Sequence, residues 1–157
     1  MGATTPVAFD PAPRFLGAIL TFTATSEVLS GQIVGYADAG ASREVVPHTA
    51  SLGSPVGVAL HTAAAGAALA VAGNGSEVKV MLDATNSPAT HGDWIGSGTV
   101  AGCGLIYNAD VQAHVEDVLI GIVPIGCAVE DVTAGSGTVG GTVYILVNIG
   151  PQWTAAA

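Results

Sequence analysis

Residues 77–82 read EVKVML, and their alternation decides the fold class. Successive side chains of a strand point to opposite faces, so Val78, Val80 and Leu82 share one face while Glu77 and Lys79 share the other. One face is expected to be buried and the other wet. Outward from this segment, runs rich in Val, Ile and Thr recur between glycines at roughly ten-residue intervals, the pattern of an all-β domain. Strands are expected at 17–24, 32–37, 43–47, 56–60, 67–72, 77–82, 93–100, 118–123, 126–130 and 142–149. The last of these, TVYILVNI, is apolar on both faces, with Val143, Ile145 and Val147 opposite Tyr144 and Leu146. That suits a central strand, or one covered by a second chain. The Ala-rich run 61–70 has helix propensity, but Gly66 divides it, so a turn followed by a strand is expected there. Residues 109–117 (ADVQAHVED) alone carry a helical pattern. The expected fold is therefore all-β: a small antiparallel β-barrel or sandwich.

Three stretches divide the chain. Residues 1–16 carry Pro6, Pro11 and Pro13 together with Phe9 and Phe15, which rules out a helix and favours extended backbone. They read as an N-terminal arm that either stays disordered or lies in a groove on a neighbour. Residues 17–150 form a single β domain, and 151–157 a tail whose Trp153 is an apolar liability unless anchored. Phe9, Pro11, Phe15 and Trp153 are the expected interface anchors. Trp94 is expected in the core.

Composition narrows the function. Only 10% of residues are charged, half are hydrophobic and the net charge is −9. An ordinary soluble domain carries about 25% charged residues, so much of this surface is expected to be covered by other subunits. Three basic residues, Arg14, Arg43 and Lys79, cannot supply the clustered cations that nucleic acid requires. The longest apolar run, Val118 to Val129, is interrupted by Gly121, Pro124 and Gly126 and falls short of the ~20 residues of a spanning helix. No membrane is expected. The N-terminus lacks a charged region followed by an apolar stretch, so synthesis in the cytoplasm is expected. Cys103 and Cys127 sit beside glycine in apolar sequence without a CxxC and are expected to be buried free thiols.

The candidate chemical motifs fail on context. Gly135-Ser-Gly-Thr-Val-Gly140 spells GxGxxG, but a dinucleotide site needs a strand before it and a helix after it, whereas these glycines lead into the strand at 142–149. The pentapeptide GSGTV also occurs at 96–100, which points to loop chemistry. Among His48, His61, His91 and His114, only His91-Gly-Asp93 places two ligand types on one strand face, and zinc wants three or four. No GxSxG elbow is present. The chain is expected to be no enzyme and to need no cofactor or metal.

A weak internal echo runs through the chain: GQIVG at 31–35 resembles GDWIG at 92–96, and PVGVAL at 55–60 resembles PIGCAV at 124–129. The spacings are 61 and 69 residues. A decayed duplication of a β unit and chance are equally good explanations.

The arrangement GQIVGYADAG, REVVPHTAS and SPVGVALHTAAAGAALAVA resembles the bacteriophage capsid cement, or decoration, proteins. The likeness rests on Pro55 to Leu60, Ala63 to Gly66 and Leu69 to Ala72, and covers residues 17–82. Residues 83–117, including Trp94, depart from that pattern. The resemblance implies a β-barrel or sandwich that trimerises and binds the outside of an icosahedral head, reinforcing capsomer junctions. Its partners would be the major capsid protein and further copies of itself, and its place the outer capsid surface of the virion after synthesis in the host cytoplasm. A head fibre base, a tail component and a small ligand-binding β-barrel are the alternatives.

Overall fold

The structure, a computed structural model, describes residues 8–37, 43–49, 54–83, 90–98, 100–107, 124–131 and 142–149. Among these residues there is no helix, and ten strands carry the fold. They are β1 (Ile19–Ala24), β2 (Ile33–Tyr36), β3 (Glu44–Pro47), β4 (Pro55–Ala59), β5 (Ala68–Ala72), β6 (Glu77–Met81), β7 (Trp94–Ser97), β8 (Gly104–Tyr107), β9 (Pro124–Ala128) and β10 (Thr142–Val147). The first five close into a barrel in the order β1-β3-β2-β4-β5, and the second five form a sheet in the order β6-β10-β9-β7-β8. The expected all-β barrel is thus present. One pairing departs from the all-antiparallel expectation: β1 runs parallel to β3, and that pair closes the first barrel. The strand at 104–107 is not foreseen, because GLIY is short and begins on glycine. The expected strand at 118–123, the helical pattern at 109–117 and the glycines at 135–140 lie outside the described residues.

The second unit repeats the first, strand for strand. β1 pairs with β5 as β6 pairs with β10, and β2 pairs with β3 and β4 as β7 pairs with β8 and β9. Even the irregularities coincide. Between β2 and β4, Ile33 faces Val58, Val34 faces Gly57 and Gly35 faces Pro55, with a register shift between Val34 and Gly35. Between β7 and β9, Trp94 faces Cys127, Ile95 faces Gly126 and Gly96 faces Pro124, with the shift between Ile95 and Gly96. Two glycines serve one steric purpose: a Cβ on Gly57 would meet the Ala72 carbonyl oxygen, and a Cβ on Gly126 would meet that of Leu146. Chance does not reproduce a bulge, its register and its glycine together. The echo is a repeat of one five-stranded unit.

The two units pack through one shared core. Inside the first barrel, Phe22, Val34, Val45, Leu69 and Val71 form one cluster. Ile33, Val58 and Ala72 alternate with those residues, so they point out of the first barrel, yet all three are fully buried. They belong to the cluster that fills the second unit, with Val78, Val80, Ile95, Ile125, Val143 and Ile145. Burying a Val or Ile of this kind is worth about 1.5–3 kcal/mol, so this row is the main join between units. A polar seam accompanies it. His48 Nδ1 lies 2.6 Å from Ser97 Oγ, both buried, and the His48 carbonyl accepts from the Gly102 amide at 2.9 Å. Gly35 makes room for the imidazole, since a Cβ there would meet the ring.

The units differ in how they close. In the second, the bond between β6 and β8 shrinks to a single parallel bridge, Leu82 with Gly104, leaving the rest of the β6 edge free. The N-terminal arm takes that edge. Lys79 donates its amide to the Pro11 carbonyl at 2.9 Å, Arg14 donates to Glu77 at 3.0 Å, and Glu77 donates to Phe15 at 2.8 Å. Over residues 8–16, then, the groove expected on a neighbour is found on the chain's own sheet. An open strand edge leaves unpaired backbone groups, and this edge is within reach of the extended arm.

Candidate assembly surface

The outer face of β6, β10 and β9, with the arm beside it, gathers the exposed apolar side chains of the second unit. Cross-strand partners share a face, so the register defines a continuous row of Phe15, Glu77, Leu146, Cys127 and Trp94. Phe15 is 64% exposed and Leu146 40% exposed, while Cys127 and Trp94 are half-buried. A second row places Lys79 beside Tyr144, and the Val129 amide donates to the Tyr144 carbonyl at 3.0 Å. Val129 is also exposed. The inward neighbours Val143, Ile145 and Val147 are buried, so β10 is a central strand whose second apolar face meets solvent.

Charge on this face is balanced around Tyr144. The Arg14 guanidinium lies 3.5 Å from the ring centroid, and Lys79 Nζ lies 5.1 Å from it. Arg14 pairs with Glu77 at 3.1 Å and with Glu130 at 3.4 Å, and the Glu77 hydrogen bond is the main cause holding its proton more firmly than usual. The Tyr144 hydroxyl donates to the Ala12 carbonyl at 3.0 Å, which ties the arm to β10. Each exposed ion pair adds only about 0–1 kcal/mol. Together they position the arm rather than hold the fold.

Of the expected anchors, Pro11 and Phe15 meet along β6, Pro11 buried and Phe15 exposed. Phe9 goes elsewhere: its amide donates to Ser30 at 3.3 Å, and its ring fills the space a Cβ on Gly31 would need. The arm therefore touches both units. Trp153 lies outside the described residues. Trp94, expected in the core, is half-buried on the outer row. Cys127, Val129 and Arg14 carry no signal in the sequence that places them on this surface; aligning the two echoes matches Cys127 to Val58, and the difference between their faces comes only with the assembled fold.

The remaining polar candidates have local roles. The His91 amide and ring Nδ1 lie 2.8 and 2.7 Å from one Asp131 oxygen, which lowers the Asp131 carboxyl below its ordinary value, the amide contact contributing most. Asp93 accepts from the Thr90 amide at 2.8 Å within its own turn. Among the described residues no three His, Cys, Asp or Glu side chains come together as a metal site. No described helix is long and apolar enough to cross a membrane. Both cysteines are free, but only Cys103 is buried; Cys127 is half-exposed because it sits on the outer row. Burial, then the nearby Asp83 charge, pushes the Cys103 thiol up to about 12, so it stays protonated and unreactive at neutral pH. In dilute native protein, iodoacetamide is expected to modify Cys127 alone, with Cys103 reacting only after unfolding; intact mass with peptide mapping reads this. Equal labelling of both would contradict the burial.

No family model matches the chain, and no curated protein sequence matches it. Among solved structures, the chain is similar to the N base of the head fibre protein gp8.5 of bacteriophage phi29, at 19% identity and a TM-score of 0.50. The similarity covers 83% of this chain and 93% of that one. At that identity the likeness is one of fold.

Proposed function

We propose that the chain is a structural protein of a phage virion that binds the outer surface of an icosahedral head as a trimer and stabilises capsomer junctions. The observation that supports this most is the likeness of fold, which covers 93% of a phage head fibre base. Sparse charge, an acidic balance and exposed apolar rows suit repeated protein contacts. Binding of this kind needs no chemistry, because many weak contacts repeated by symmetry add through avidity. The partners are the major capsid protein and other copies of the chain. A second reading, that the chain is itself a head fibre base, is favoured by the name of that structural neighbour. Both readings put it on the head.

Since Phe9 and Pro11 are engaged within the chain, Phe15 and Trp153 are the proposed anchors for contacts on the particle. Phe15→Ser is expected to weaken binding to purified heads of the encoding phage by more than about tenfold, as truncation of an aromatic hot spot does, with an unchanged far-ultraviolet spectrum. Co-sedimentation with heads measures it. Wild-type protein that fails to sediment with heads would defeat the proposal.

A further inference from the structure

The two units of the repeat share a topology but not a fate for one face. In the first unit the outer row Ile33, Val58 and Ala72 is fully buried. It is covered by the second unit, whose core it joins. By the matching registers, the same row of the second unit is Trp94, Cys127 and Leu146. Here Leu146 is 40% exposed, with Phe15 and Val129 exposed beside it.

We propose that this outer face of β6, β10 and β9 is a self-association surface covered by a second copy of the chain. Within one chain, the equivalent face of the first unit receives a five-stranded unit of the same kind. The second unit keeps apolar residues at the equivalent positions and has no third unit in the described residues to cover them. Charge favours the same occupant. The chain holds twelve acids and three bases, yet around Tyr144 Arg14 and Lys79 stand against Glu77 and Glu130, two of each. A chain of net charge −9 repels its own copies least at a face that is locally neutral. The inner face of the second unit is already covered by the first unit in every copy, so a copy docks through another surface, and a heterologous contact of this kind closes into a ring where its rotation allows. The inference supplies the surface for the trimer in the proposed function and rests on that reading in this respect alone.

Sedimentation of the full chain tests it, with Leu146→Lys and Val129→Asp as variants. Both positions are exposed, and a lysine at 146 would face Glu77, so neither variant threatens the fold. Wild-type protein is expected to self-associate, and both variants, though opposite in charge, to weaken association on the order of a hundredfold with an unchanged circular dichroism spectrum, since each places a charge that must lose water at an apolar contact. Ile19→Asp, on an exposed apolar residue of the first unit, is expected to associate as the wild type does. Alkylation of Cys127 should slow as protein concentration rises. A wild type that stays monomeric, or two variants that associate like it, overturns the surface. So does a monomer whose Cys127 resists alkylation, which would mean that the chain's own tail covers the face. Head binding separates the two proposals: a wild type that binds heads as a monomer sinks the surface alone, and one that self-associates without binding heads sinks the virion reading alone.

Discussion

Val58→Asp is expected to unfold the chain, whereas Cys127→Asp, at the matching position of the second unit, is expected to shift stability by no more than about 1 kcal/mol. The two residues occupy one place in the repeat: Val58 faces Ile33 across β4 and β2, and Cys127 faces Trp94 across β9 and β7. Their surroundings decide the outcome. Val58 is fully buried among apolar side chains of the second unit, where a carboxylate finds no partner. Placing a charge there costs several kcal/mol, against a total stability of about 5–15 kcal/mol for a domain. Cys127 is half-exposed, and an aspartate there keeps its water. Urea unfolding of the two variants, followed by circular dichroism, measures the difference. Equal losses would mean that the two faces are buried alike.

Gly57→Ala is expected to destabilise by about 2–6 kcal/mol, from the strained backbone together with the overpacking of the added carbon. Gly57 sits at φ +155, and its missing Cβ leaves room for the Ala72 carbonyl oxygen and a Val71 methyl group. Because that oxygen is part of the β4 and β5 pairing, it cannot move aside without breaking the barrel. Gly126→Ala meets the Leu146 carbonyl in the same way and is expected to lose a large part of the same energy, without the strain in φ. Thermal melts of both variants are the measurement, and a wild-type melting temperature in either would remove the steric reading of the repeat.

Much of the fold was legible in the sequence, because alternation is a local property. EVKVML declares its buried face without outside help, and it forms β6 with Val78 and Val80 inside. Gly66, at φ +83, ends the Ala-rich run in the turn it suggests before β5. The repeat was half legible. GQIVG and GDWIG carry the bulge glycine, but only the shared register between paired strands distinguishes a repeat from coincidence, and pairing is not written in either segment alone. The parallel closure of β1 on β3 is a long-range event with no local signature. The arm was legible as extended backbone through its prolines, but not its destination, which depends on β8 leaving most of β6 unpaired. The surface was visible as the doubly apolar strand 142–149. Its exposure follows from which side of the second unit the first one covers, and only the assembled fold shows that.

Electron cryomicroscopy of the native particle tests the virion reading most directly. The five-stranded barrel of this chain and its companion five-stranded sheet are expected on the outside of the head, grouped in threes at three-fold or quasi-three-fold positions. Density for the chain confined to the tail, or none on the particle, would contradict it.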